Sequence, residues 1–234
     1  MRKQFSKFAQ VAALGLALTF TLSCSTDGGG GNNGGSSSSV GVGGSSSGGG
    51  SIGDSCGNVE SGTNTMTCGG KTYRTVKISG RVWMAENLNY AAGNSKCYDD
   101  SESKCDTYGR LYNWNTATKV CPNGWHLPTS TSIEWYTLSQ LSSTKLKAKS
   151  GWNSGNGTNE LEFSALPGGG FFNGSFRDIG ESGYWWTARE NNNRVDAYFA
   201  NIYFGTDKVL LDNSRDKNTF FFSVRCVQDC TVCL

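Results

Sequence analysis

Histidine is nearly missing from this chain: among 234 residues there is one, His126. A multi-histidine metal centre is therefore excluded, and any serine-type hydrolase would have a single candidate base. Proline is scarce as well, at three residues. Only 17% of the residues are charged, and the formal net charge is +2. No Lys/Arg stripe stands out, which argues against nucleic acid as a partner. No Gly-rich phosphate loop lies between a strand pattern and a helix pattern; Gly168-Gly169-Gly170 follows Pro167 and has no helix signal after it. The longest apolar run, Val11 to Leu22, is about a dozen residues, where a spanning helix needs ~20.

What that short run does resemble is an export signal. Arg2, Lys3 and Lys7 precede it, and small residues surround Ser23. Cys24 follows directly, so residues 1–23 read as a lipoprotein signal peptide and Cys24 as the lipidated N-terminus. Thr21 stands three places before the cysteine, where leucine is more usual, and an ordinary secretory signal is the competing reading. Acyl chains anchor durably because each buried methylene contributes ~0.8 kcal/mol. The membrane, reached through this lipid, is thus an expected partner. Ser25 carries no inner-membrane retention signal of the Asp type, so the expected location is extracytoplasmic, on the outer membrane or cell surface.

Glycine and serine then take over. They fill 22 of the 29 positions from Ser25 to Gly53. Such a stretch buries too little apolar surface to offset chain entropy. Residues 24–54 are expected to be a flexible tether, spanning about 30 Å on average at ~5–6 Å times the square root of its length. Residues 55–234 suffice for one domain. All seven Trp lie there. Without the basic leader the chain is close to neutral.

Cysteine is plentiful. Beyond Cys24 there are eight: Cys56, Cys68, Cys97, Cys105, Cys121, Cys226, Cys230 and Cys233. An even number in an exported chain predicts disulfides, although eight cysteines allow 105 connectivities. Cys97 and Cys105 bracket an acidic loop, and Cys56 and Cys68 bracket a Gly/Thr/Asn turn; both are natural local clips. Cys121 and Cys226 frame the best-patterned region. Cys230 and Cys233 remain as a CxxC. A redox CxxC wants a helix after it to lower the thiol pKa, and only one residue follows here. The spacings do not build a zinc site, and no metal or other cofactor is expected.

The hydrophobic pattern predicts an α+β order. Lys71 to Leu88 alternates like a hairpin turning at Ser79-Gly80. Tyr108 to Lys119 predicts a helix with Leu111, Trp114 and Ala117 on one side. Thr131 to Leu141 predicts a second, with Thr131 and Glu134 as a capping box and Trp135, Leu138 and Leu141 as its stripe. Short strands follow: Tyr184 to Ala188, Ala197 to Phe204, and a pairing of Lys208–Leu211 with Phe220–Val227. Asp99, Asp100 and Glu102, like Asp212, Asn213 and Asp216, gather oxygens that would suit calcium, but they read more simply as acidic surface turns.

Several motifs resemble one family. They are Val76-Lys77-Ile78 to Trp83-Met84-Ala85-Glu86-Asn87-Leu88-Asn89-Tyr90, Tyr108-Gly109-Arg110-Leu111-Tyr112 and Cys121-Pro122-Asn123-Gly124-Trp125-His126-Leu127-Pro128. Glu134-Trp135, Phe163-Ser164-Ala165-Leu166-Pro167-Gly168-Gly169 and Ser223-Val224-Arg225-Cys226-Val227 complete the set. Together they resemble the Fibrobacter succinogenes major paralogous domain from about Thr72 to Asp229. The resemblance implies a secreted or lipid-anchored domain with a C-type lectin-like fold: two helices packed on small, mainly antiparallel sheets with long loops, stabilised by disulfides. It implies no common activity. The Glu-Pro-Asn and Gln-Pro-Asp triplets of calcium-dependent lectins are absent. A more distant similarity, through Trp125 to Thr129 and Ser223 to Cys226, points to the formylglycine-generating fold. Those enzymes need a cysteine pair at the substrate cleft, which is matched here only by spending Cys226.

The expected function is therefore non-catalytic: binding a polysaccharide or another surface macromolecule. Tyr184, Trp185, Trp186, Arg189, Asn191 and Asp196 are the candidate contacts, because adjacent tryptophans in a strand face opposite sides and one could stack on a sugar ring. His126 reads as a packing residue near a helix start, and the sequence offers no catalytic residue. A diverged oxidase using Cys230 and Cys233, and a structural surface or adhesion component, are the alternatives.

Overall fold

The computed structural model describes residues 64–131 and 133–229. The signal, the tether, Cys24, Cys56, Cys230 and Cys233 lie outside them. Three strands open the described chain: β1 (Thr65–Cys68), β2 (Lys71–Ile78) and β3 (Arg81–Met84). β2 and β3 reverse through Ser79 and Gly80, whose φ values of 49° and 81° are both positive. That is the two-residue turn whose twist matches a hairpin, so the alternating pattern and the Ser-Gly dipeptide act together. β4 (Ser95–Lys96), a 3-10 turn (Tyr98–Asp100), α1 (Glu102–Tyr108), β5 (Leu111–Tyr112) and α2 (Trp114–Ala117) follow. Next come β6 (Trp125–His126), α3 (Trp135–Ser139) and α4 (Ser143–Leu146). The rest is strand: β7 (Gly168–Phe172), β8 (Ser175–Ile179), β9 (Ser182–Glu190), β10 (Asp196–Tyr203), β11 (Val209–Asp216), β12 (Phe220–Phe221) and β13 (Val227–Gln228).

One sheet has the order β1-β2-β3-β13-β6 and is antiparallel throughout. The other runs β11-β10-β9-β7-β12, with β8 paired to β7. It is mixed, because β7 and β9 meet in parallel at Gly169 and Gly183. β4 and β5 form a small ribbon. The core has two main parts, and β9 divides them. On one side Trp185 lies 5.7 Å from Trp135, which meets Trp83 and Phe163 edge-on. On the other Trp186 and Phe199 close on Phe222 at 4.6 and 4.9 Å. β9 is thus covered on both faces at its centre, which is why Trp185 and Trp186 stand next to each other in the sequence.

The lectin-like α+β expectation is overturned. Strand makes up 39% of the structure and helix 14%, and no α-helix among the described residues exceeds seven residues. The predicted helix from Tyr108 to Lys119 is interrupted twice. Gly109 ends α1 at φ 78°, ψ 179°, an extended conformation that only glycine adopts readily. Leu111 and Tyr112 then pair with Lys96 and Ser95 as strand, both of them buried. Helix resumes only after Asn113, whose side chain accepts the Thr116 N–H at 3.0 Å. The second predicted helix shrinks to α3. Its capping box does not form: Glu134 turns its carboxylate to Thr129 N–H at 2.6 Å and to His126 instead.

The late strands also pair differently from the expectation. β11 joins β10, β12 joins β7, and β13 crosses to the first sheet between β3 and β6. Two disulfides form at the expected places, Cys97–Cys105 and Cys121–Cys226. Cys68 is also disulfide-bonded. One residue of each acidic cluster has a local role. Glu102 pairs with Arg110 at 2.9 Å, and Asp216 accepts the N–H groups of Asn218 and Thr219 at 2.9 Å each.

Candidate functional site

The stretch Met84-Ala85-Glu86-Asn87 leaves β3 and meets the chain arriving at β13. Asn87 is buried there and makes four hydrogen bonds. Its Nδ2 donates to Tyr108 O at 2.8 Å and to Ser223 Oγ at 3.3 Å. Its Oδ1 accepts from Trp185 Nε1 and from Arg225 Nε, both at 2.8 Å. That is the full capacity of an amide side chain.

Arg225 is fully buried. It donates to the carbonyls of Phe163 and Ser164 as well as to Asn87, and it lies 4.2 Å over the Phe163 ring. Among the described residues no carboxylate touches it, and burial pushes its guanidinium down to about 9, with Glu86 acting against that from a distance. A buried cation satisfied by neutral oxygens holds several segments in register. Asn87, Phe163, Ser164 and Trp185 are all fixed around this one group.

Above this floor opens a cleft of about 330 Å³. β2 supplies Lys71, Thr72 and Arg74 to its wall, and the chain after β3 supplies Ala85, Glu86 and Asn87. The end of α1 contributes Asp106, Thr107 and Tyr108, and Ser164 and Leu166 close the far side. Two side chains of each charge thus line the cleft. Arg74 Nε and Glu86 Oε1 pair at 3.2 Å, and Glu86 Oε2 takes the Arg74 backbone N–H at 3.2 Å. This exposed pair contributes little to stability. Gly109 shapes the cleft from below: a Cβ there would lie 2.6 Å from Asn87 Cβ and 2.9 Å from Leu88 O.

The contacts chosen from sequence fall elsewhere. Trp185 and Trp186 are both fully buried, so neither offers a face to a sugar. Each indole N–H is used internally, Trp185 to Asn87 and Trp186 to Tyr112 O at 2.7 Å. Tyr184 is half-buried, stacks on Phe222 at 5.1 Å and donates to Asp178 Oδ2 at 2.7 Å. Burial, aided by Asp178, pushes its hydroxyl up to about 12. Arg189 lies over the Tyr198 ring at 4.0 Å, Asn191 donates to Ser214, and Asp196 accepts from Asn193. The β9–β10 connection is a self-satisfied turn at the far end of β9 from Asn87. What the sequence reading missed is the cleft, although Glu86, Asn87 and Tyr108 stand inside its quoted motifs. The signal was the pairing of a polar Glu-Asn step with an apolar frame that continues on both sides.

His126 is tied up as well. Its Nε2 meets Glu134 Oε1 at 2.6 Å and its Nδ1 meets Asp229 Oδ1 at 2.5 Å. Both ring nitrogens therefore face carboxylates. Among the described residues, the sulfur and carboxylate groups that lie close enough together for a metal are those of Cys97, Glu102 and Cys105, and they include the two halves of a disulfide, so no thiolate is available there as a ligand.

The described chain finds no significant match among curated proteins or solved structures. Residues 76–228 match the Fibrobacter succinogenes major domain. The match takes in the end of β2 with its turn into β3, the Asn87–Arg225 floor, the Cys97–Cys105 and Cys121–Cys226 disulfides and β13, and on it the chain belongs to the Fibrobacter succinogenes major domain family.

Proposed function

We propose that this domain is a non-catalytic binding module, tethered outside the cytoplasm through Cys24, that takes polar groups of an extracellular polysaccharide or other surface macromolecule into the cleft above Asn87. The observation that carries the reading is the division of labour among polar residues. Asn87, Arg225, Glu134, Trp185 and Trp186 are consumed in holding the fold. Lys71, Arg74, Glu86 and Asp106 stand around an open cavity. Guanidinium, ammonium and carboxylate groups beside an aromatic ring, here Tyr108, are the kind of lining that grips a polyhydroxylated ligand through paired hydrogen bonds. Cys226 is bonded to Cys121 and so supplies no free thiol to an oxidase cleft, while Cys230 and Cys233, on which the oxidase alternative turns, lie outside the described residues.

The test is isothermal titration of the folded, oxidised protein against soluble plant and microbial polysaccharides. Saturable binding is expected, weakened about tenfold or more by Arg74→Ala or Asp106→Asn, as for truncation of a polar anchor contributing ~1.5 kcal/mol. Arg189→Ala is expected to leave it unchanged. Absence of binding to every glycan, or binding that follows Arg189 and Asp196 instead, would overturn the reading.

A further inference from the structure

The single histidine links three parts of the chain that are distant in sequence. It sits on β6, the outer strand of the first sheet, with Val227 of β13 as its register partner. Glu134 reaches it from the turn into α3, and Asp229 from the residue after β13. The two carboxylates differ in freedom. Glu134 is buried, and its second oxygen is held by Thr129 N–H at 2.6 Å. The Asp229 side chain is 51% exposed. The backbone N–H of Asp229 also donates to Gly124 O at 2.8 Å.

We propose that His126 is a proton-operated latch: the protonated ring clamps the end of β13 to β6 through Asp229, and loss of the proton releases Asp229 while Glu134 stays bound. An imidazolium has two N–H donors and satisfies both carboxylates; a neutral imidazole has one. At 2.5–2.6 Å the second carboxylate would then face a lone pair. Glu134, held by Thr129 and enclosed, keeps the remaining donor. Asp229 turns to water at little cost, and the Gly124–Asp229 end of the β6–β13 ladder opens.

The charged groups acting on the ring, among the described residues, are these two carboxylates; Arg81 of β3 acts on Glu134. The hydrogen bond the ring donates to Glu134 is the main cause that raises it above its ordinary value, burial opposes it, and Asp229 adds to the rise. The resulting stabilisation is therefore complete below the unfolded pKa of ~6.5 and disappears as pH rises through the higher folded value. Glu134 is held below its ordinary value by His126 and Thr129 N–H, against its own burial. Its contribution is present above the unfolded value and is lost as pH falls through the folded one. The clamp is thus tightest between these two limits.

With one histidine in the chain, its ring resonances need no assignment, and an NMR titration of the full chain reads the latch directly. The expected midpoint lies above the ordinary ~6.5. Glu134→Gln should lower it more than Asp229→Asn, which alters an exposed side chain. Amide hydrogen exchange at Asp229, corrected for intrinsic pH dependence, should rise through the same midpoint. Linkage sets the size: about tenfold for each pH unit by which Asp229→Asn lowers the midpoint. The rise should vanish in His126→Gln. A midpoint at or below the ordinary value, or Asp229 protection that ignores the titration, would refute the latch. β6 lies at the opposite sheet edge from the β1–β2 side that walls the cleft, so glycan binding stands or falls separately.

Discussion

Replacing Asn87 with alanine would remove one acceptor shared by two buried donors, Trp185 Nε1 and Arg225 Nε. An unsatisfied buried donor costs about 1–3 kcal/mol, and a charged one more, so the variant should lose about 3–5 kcal/mol. That is a large part of the 5–15 kcal/mol typical of a domain. Urea denaturation should show a large fall in midpoint, with Arg189→Ala, an exposed control, within about 0.5 kcal/mol of the parent. At this scale the sequence was readable in geometry and silent on burial. Two adjacent tryptophans in a strand had to face opposite sides, and they do. Their exposure depended on what covers each side. Trp135 and Phe163 come from 50 and 22 residues upstream of Trp185, and Phe222 from 36 residues downstream of Trp186. No local pattern encodes those meetings.

Among the elements, the β2–β3 hairpin was legible because everything that defines it lies within a few residues of Ser79-Gly80. The segment from Tyr108 to Lys119 misled because Leu111, Trp114 and Ala117 share a helical spacing while Gly109 and Asn113 break the helix on either side of a two-residue strand. Gly109 is where this can be tested. Its φ and ψ of 78° and 179° cost a side-chain-bearing residue about 1–3 kcal/mol. The added Cβ would also press on Asn87 and Leu88 O. Gly109→Ala should therefore destabilise by at least about 2 kcal/mol, although alanine is the better helix former. If the segment were a continuous helix, the same change would be stabilising. Thermal melts of the two proteins decide the sign. A cleft dented at its base should also bind any glycan ligand more weakly, which distinguishes local from global damage.

Over the whole molecule, the two described disulfides divide the task of closure by distance. Cys97–Cys105 spans eight residues, whereas Cys121–Cys226 spans 105. The shorter one fastens the connection between β4 and β5, tying the end of β4 to α1. The longer one joins the chain just before β6 to the chain just before β13, and so fixes the two strands that meet side by side at the sheet edge. Sheet order was not readable from sequence, because β13 inserts between β3 and β6 from about 140 residues beyond β3. The cysteine spacing nevertheless marked the place where that insertion is secured. In the chain-entropy description a loop of 105 residues contributes about 4.7 kcal/mol, and the same relation gives about 2.5 kcal/mol for eight. Paired Cys→Ala variants should follow that order in urea midpoint, the Cys121/Cys226 pair losing about twice as much as the Cys97/Cys105 pair. A mild reductant should reproduce the larger loss once the long-range bond opens, with amide exchange rising first in β6 and β13. Equal losses would mean that the sheets hold their order without the bond, and that packing of Trp83, Trp135 and Trp185 alone selects where β13 enters.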